Sequence, residues 1–522
     1  MDSPVETLPD DPAALQEIIA SLQARHERQT SILLEQIRHL RQLLFGRRSE
    51  RLPADSTSVQ LLLFDLPEPE HIEPAKVAVG SHDRKKPGRK ALPPELPRVE
   101  IIHDLPEADK VCGCGCTLSR IGEEVSEQLD IIPARIQVLR HIRPKYACRQ
   151  CEGVEDEGPT VRILPMPPQI IPQSIVSPGL LAHVLTAKFV DHLPLYRQEK
   201  IFARLGVEIS RATMSNWAMR AAEACVPLLN LIHDEILAAR LINIDETTTQ
   251  VLAEPGRPAT ATSYMWLFRR GDPDRPALLY QYHPTRAGDV ARTFLGDYQG
   301  IVQTDGFSGY DFLDHQAGVR HAGCLAHVRR KFMEVIKAQG KNRTSGSADQ
   351  ALATIQQLYA LENEARVKRW SPEAISTMRA EKARPILEAF HQWLLKRSAQ
   401  TPPKGLLGKA IGYALNQWER LLVYLEDPIV TPDNNMAENG IRPFVLGRKN
   451  WLFSGTPKGA EASAMLYSLI ETAKANNCEP YSYLRHIFEH LPAAQTLADY
   501  EVLLPWNVDR LNIMLRYAEV VD

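Results

Sequence analysis

A chain of 522 residues exceeds what one hydrophobic core organises, and at roughly 150 residues per domain it predicts three or four units. With 44% apolar and 24% charged residues it has the composition of a globular protein. No stretch approaches the ~18 apolar residues of a membrane helix, and the acidic start Met1-Asp-Ser-Pro-Val-Glu6 is not a signal peptide, so cytoplasmic residence with no membrane partner is expected. A net charge of −3 excludes nucleic-acid binding through global positive charge and leaves it to local patches such as Arg84-Lys-Lys86, Arg329-Arg-Lys331 and Arg442 with Arg448-Lys449.

From the N-terminus, Leu15, Ile19, Leu22, Leu33, Leu40 and Leu43 space a heptad-like seam interrupted by His26, Gln29 and Gln36. It predicts a coiled-coil-like helix within residues 1–52 that self-associates, the polar positions weakening the seam while fixing its register. Residues 53–100 are rich in Pro, Ser and charge and read as a Pro-rich basic linker. Residues 101–165 hold five of the eight cysteines, Cys112-Gly-Cys114-Gly-Cys116 and Cys148-Arg-Gln-Cys151. In a cytosolic-looking chain this clustering predicts a tetrahedral thiolate zinc module. Cys148 and Cys151 are two of its ligands, and the other two are either Cys112 with Cys116 or Cys114 with Cys116.

Residues 166–238 are expected to be helical. Two helices on either side of Gly206, the second capped by Ser210, fit a helix-turn-helix-like DNA-binding region that offers Arg211, Thr213, Ser215 and Asn216 to a groove. The period then changes. Strands at 241–252, 262–269, 277–283 and 300–304, with a helix near 289–295, predict an α/β layer, and 345–425 reads as a helical subdomain inserted at about 340–428. Cys324 and His327 fall before that insertion and read as packing, with a place for His327 near the acids as the alternative.

Three acids stand out within this 239–478 domain. Asp245 closes the apolar strand Leu241-Ile-Asn-Ile, where an unpaired charge is costly; Asp305 follows Ile301-Val-Gln-Thr; Glu438 ends Asp433-Asn-Asn-Met-Ala. Each alone has a structural reading, as strand end, turn or helix cap. Together they suit two divalent cations, because in-line attack on a phosphodiester needs both the entering and the leaving oxygen stabilised and hard ions take oxygen ligands. Gly440 and Pro443, close behind Glu438, argue against a long regular helix there.

These residues, with Leu44-Phe-Gly-Arg-Arg-Ser-Glu50, Arg143-Pro-Lys-Tyr-Ala-Cys148, Thr304-Asp-Gly-Phe-Ser-Gly-Tyr310, Ile441-Arg-Pro-Phe-Val-Leu-Gly-Arg-Lys-Asn-Trp451 and the tail from Glu479-Pro-Tyr to Leu503-Leu-Pro-Trp-Asn507, resemble the insertion-sequence-66 (IS 66) family of bacterial transposases over nearly the whole chain. The resemblance implies a multidomain α+β protein with a ribonuclease-H-like catalytic core, a family-specific segment at 479–522 and catalytic acids Asp245, Asp305 and Glu438. It implies two Mg²⁺ (or Mn²⁺) ions at those acids and a structural Zn²⁺. The implied activity is cleavage and strand transfer of DNA at the element's terminal inverted repeats and into target DNA, in the bacterial cytoplasm and on the nucleoid. Arg442, Arg448 and Lys449 beyond Glu438 are expected to hold phosphates, with homo-oligomers and small accessory proteins as further partners. A DNA-binding regulator with an inert α/β domain and a nuclease unrelated to transposition are the alternatives. Cys112-Gly-Cys114 departs from the CxxC of relatives, which bears on zinc ligation and not on catalysis.

Overall fold

The computed structural model describes residues 136–147, 161–339 and 345–513, with Gln23, His26 and Thr30 placed in a helix. Apart from those three positions, the N-terminal helix, the linker and all five clustered cysteines lie outside the described residues. The chain divides into two units, 65–143 and the remainder. Of the first, residues 136–143 are described, exposed and without regular secondary structure. In the second, a short antiparallel pair joins β1 (Lys145–Ala147) to β2 (Val161–Ile163), β1 ending just before Cys148.

Four helices follow: α1 (Pro178–Phe189), α2 (Leu195–Arg204), α3 (Arg211–Ala224) and α4 (Val226–Leu237). Their starts obey local chemistry. Ser177 caps α1 by accepting the Leu180 N–H, with Pro178 in the first turn, and Ser210 caps α3 by accepting the Thr213 N–H. Gly206 turns the chain between α2 and α3 at φ +83°, a conformation that favours glycine. Met214 and Trp217 of α3 are buried while Arg211, Thr213 and Asn216 are exposed.

The five-stranded sheet has the order β5-β4-β3-β6-β7, formed by β3 (Leu241–Gln250), β4 (Thr262–Arg270), β5 (Leu278–His283), β6 (Gly300–Gln303) and β7 (Val319–Ala322). The first three strands pair antiparallel; β3, β6 and β7 run parallel, with α5 (Asp289–Leu295) crossing between β5 and β6. Alternation along β3 divides the packing. Ile242 and Ile244 join the core shared with α1–α4, whereas Leu241 and Ile301 join the core of the helical insertion.

Helix α6 (Leu325–Gln339) leads into that insertion, which comprises α7 (Ser347–Val367), α8 (Pro372–Met378), α9 (Arg384–Gln400), α10 (Leu406–Asn416) and α11 (Trp418–Leu422) and packs on α6. After it come α12 (Asn435–Trp451), α13 (Pro457–Ala475), α14 (Pro480–His490) and α15 (Leu497–Glu501). The exposed edge of β5 is closed by α13: Thr472 Oγ1 accepts the Leu278 N–H at 3.0 Å and Ser468 Oγ accepts the Tyr280 N–H at 2.8 Å. Paired in this way, the Leu278–Tyr280 part of the edge is closed to another chain.

One expectation is overturned. α12 runs unbroken over 17 residues with Pro443 inside it. The proline costs a single N–H, and Gly440 lets the helix lie against the sheet, since a Cβ there would stand 2.7 Å from Leu267 Cδ2. Tyr280 donates its hydroxyl to the Gly440 carbonyl, tying the same turn to β5.

Candidate active site

The register explains why two acids meet. Asn243 of β3 pairs with Gln303 of the parallel β6, so Asp245 and Asp305, each two residues further on, emerge at the same level from neighbouring strands. Parallel strands lie about 4.8 Å apart, close enough for the charge of Asp305 to act on Asp245. Asp305 is fixed by an Asx turn, its Oδ1 accepting the Phe307 N–H at 3.0 Å.

Glu438 reaches the strands because α12 is stapled to β3. Asn434, 1% exposed, donates to the Ile244 carbonyl at 2.8 Å and accepts from Asn243 Nδ2 at 3.0 Å. Asn243 also donates to Gln303 Oε1 at 2.9 Å, and Gln303 donates to the carbonyls of Thr431 and Gly323. Arg269 of β4 donates to the Met436 carbonyl at 2.9 Å. Asn434, Gln303 and Arg269 each anchor this small buried network to backbone carbonyls, and Asn243 links Gln303 to Asn434, so Glu438, in the first turn of α12, is held toward β3.

The electrostatics are those of carboxylates crowded without enough positive charge. Burial, then the charges of Glu246, Glu438 and Asp305, push the Asp245 carboxyl well above the usual range. Burial likewise raises Glu438, against the opposing pull of Arg330, whose guanidinium donates to Oε2 at 3.2 Å. Glu438 Oε1 is buried without a hydrogen-bond partner. A cluster of oxygen donors that repel one another, one of them unpaired, suits a divalent hard cation.

Around the acids stand residues that the sequence reading did not single out. Glu246 is buried and bonded to Arg286 and to the Tyr310 hydroxyl. Arg286 approaches Asp305 to 3.8 Å and stacks over Phe307 at 3.8 Å. Asn243 inside an apolar strand and Glu246 directly after Asp245 were signals available in the sequence; Arg286, 40 residues away from Glu246, carried none. His327, read as packing, lies with its Nδ1 3.6 Å from Glu438 Oε1.

With this geometry in place, the comparisons decide the kinship. Residues 173–462 match the family model described as "Transposase IS66 family". The chain belongs to the IS66 family of transposases. Further family models match at 109–152 ("zinc-finger binding domain of transposase IS66"), 468–506 ("IS66 C-terminal element") and 32–101 ("Transposase C of IS166 homeodomain"). Among similar proteins of Sinorhizobium fredii, the uncharacterized protein y4jD is 32% identical over 96% of this chain and 97% of its own length. Another, the uncharacterized protein y4hP, is 31% identical over 91% of this chain and 88% of its own.

The remaining basic candidates occupy two places. Arg442 lies one turn beyond Glu438 on α12 and is half-buried, Arg448 donates to Thr248 Oγ1 at 3.0 Å, and Lys449 is exposed. Arg211 and Asn216 are exposed on α3. Trp451, at the end of α12, packs among Phe189, His192 and Tyr467 with the Lys188 ammonium 4.4 Å from its ring. No helix among the described residues is long and apolar enough to cross a membrane.

Proposed function

We propose that this chain is the DDE transposase of a bacterial insertion sequence, binding the element's terminal inverted repeats and catalysing DNA cleavage followed by strand transfer into target DNA. The observation that carries the reading is the grouping of Asp245, from within β3, Asp305, just past the end of β6, and Glu438, from a helix stapled to β3, whose burial and mutual repulsion push the Asp245 carboxyl well above its usual range. The sheet order, three antiparallel strands followed by two parallel ones, supports a ribonuclease-H-like core for the 239–478 domain.

Asp245, Asp305 and Glu438 would hold two Mg²⁺ or Mn²⁺ ions, which when bound supply Lewis acidity to the attacking and leaving oxygens of the phosphodiester. The protein's own share is placement and charge. Arg330 clamps one Glu438 oxygen, the Asn243–Asn434 pair holds the helix to the strand, and Arg286 faces Asp305 with a guanidinium half-open to an incoming phosphate. Arg442, Arg448 and Lys449 extend this positive charge along α12, while Arg211 and Asn216 of α3 supply sequence-reading contacts. Cys112, Cys116, Cys148 and Cys151, with Cys114 as a substitute, hold a structural Zn²⁺. Self-association through the N-terminal helix and small accessory proteins of the same element complete the assembly on the nucleoid.

The test is cleavage and strand transfer on DNA carrying the element's terminal repeats, with Mg²⁺, comparing wild type with Asp245→Asn. Loss of about 100- to 1,000-fold is expected, since removing a single preorganised charge-stabilising group costs that order. Unchanged activity refutes the assignment. Equal cleavage of DNA lacking the repeats leaves a nuclease, not a transposase.

A further inference from the structure

Cys324, His327 and Glu438 bring a thiol sulfur, an imidazole nitrogen and a carboxylate oxygen to within 4.8 Å of one another. Glu438 is only 10% exposed, and its Oε1 faces His327 Nδ1 at 3.6 Å, both atoms buried with no hydrogen-bond partner. Their separation exceeds a hydrogen bond. Unpaired buried polar atoms cost about 1–3 kcal/mol each, so two that face each other point to a ligand they share.

The donor set says which. Magnesium takes oxygen, whereas thiolate, imidazole and carboxylate together are the ligands of zinc. In a tetrahedral zinc centre, nitrogen and oxygen ligands stand about 3.3 Å apart and sulfur about 3.5 Å from either, so the His327–Glu438 pair at 3.6 Å is near bonding separation and Cys324, within 4.8 Å of both, lies in reach. Burial, with Glu438 and Asp433 nearby, holds the free thiol protonated, while the Asn434 backbone N–H, which donates to the sulfur at 3.2 Å, and the backbone N–H of His327 pull the other way.

We propose that Cys324, His327 and Glu438 form a second cation site, for a zinc-class divalent ion, that withholds Glu438 from the carboxylate centre and thereby inhibits DNA cleavage. The inhibitory effect rests on the role given to Glu438 above; binding itself does not. On coordination the metal–sulfur bond forms as the thiol proton passes to bulk water, and no electron changes hands. The ion occupies Oε1, so the carboxylate is turned to His327 and Cys324 and away from Asp245. Cellular zinc would then hold the enzyme silent without unfolding it.

The experiment uses the full chain and Zn²⁺ as the probe. Protein is equilibrated with excess Zn²⁺, passed through a desalting column, and its zinc counted by elemental analysis, for wild type, Cys324→Ser and His327→Gln. Wild type is expected to retain one zinc per chain more than either variant. The two substitutions guard each other: His327→Gln leaves the thiol in place, and serine keeps a hydrogen-bond acceptor at position 324. In the Mg²⁺-dependent cleavage assay, added Zn²⁺ is expected to suppress wild type at least tenfold and Cys324→Ser less than twofold. Equal zinc counts in all three proteins overturn the site, and an extra zinc that leaves wild-type cleavage unaffected overturns its inhibitory role. The zinc count needs neither DNA nor turnover, so an extra zinc in the loaded protein together with no cleavage by zinc-free wild type in Mg²⁺ refutes the transposase reading while supporting this site.

Discussion

Asn434 is the residue on which the placement of Glu438 turns, and Asn434→Ala tests that directly. The substitution strips the Ile244 carbonyl of its donor and one Asn243 N–H of its acceptor, both in the interior. Asn243 keeps its second bond, to Gln303, so two groups and not three are orphaned. At about 1–3 kcal/mol each, the loss sums to about 2–6 kcal/mol, a large fraction of a domain's stability. The fold can relieve part of this by letting the start of α12 drift from β3, and a drift of about 1 Å at Glu438 is worth about 100-fold in rate. Two assays separate the effects: urea unfolding reports the stability loss, and Mg²⁺-dependent nicking of repeat-bearing DNA, run well below the unfolding midpoint, reports the misplacement. DNA affinity, measured by fluorescence anisotropy, should change less than threefold. Nicking within twofold of wild type in a variant that is destabilised as expected would refute the claim that the Asn434 staple positions the acid.

Other outcomes follow from the same geometry. Asp245 carries a raised carboxyl, and an acid with a higher pKa folded than unfolded binds an extra proton in the native state, so stability falls as pH climbs from about 4 through the folded value. Metal-free Asp245→Asn should therefore melt above wild type at pH 8, with the gap closing toward pH 4 in calorimetry; a variant that melts lower at pH 8 contradicts the crowding of charge. Gly440→Ala gains about 1 kcal/mol of helix propensity but drives a methyl to 2.7 Å from Leu267, an overpacking cost of about 1–3 kcal/mol, so a net destabilisation with weakened cleavage is expected, and a stabilised, fully active variant argues against close packing. Arg286→Gln leaves Glu246 buried without its cation and should cost about 3 kcal/mol in chemical denaturation; a loss under 1 kcal/mol would show that the Tyr310 hydroxyl suffices. Cys148→Ser should abolish the structural zinc, as read by elemental analysis, and an unchanged zinc content would remove the thiolate module.

By itself the sequence determined the local rules. The apolar run ending in Asp245, the strand before Asp305, the helix caps at Ser177 and Ser210, and the helical stretch between the second and third acids were all legible, because periodicity, capping and strand ends act over a few residues. The same local view misled at Gly440 and Pro443, which read as a helix end. Whether a proline is tolerated and a glycine needed depends on what the helix lies against, here Leu267 and Leu278. Only the tertiary structure decided that Asp245 and Asp305 stand level, which follows from the pairing of Asn243 with Gln303 across 60 residues. It alone brought Asn434 to β3 from 191 residues beyond Asn243, set Arg286 on Glu246, and turned Cys324 and His327 from apparent packing into neighbours of Glu438. Chemistry that depends on distances between strands and helices far apart in the chain leaves no period in the sequence, since such distances are set by which faces pack together.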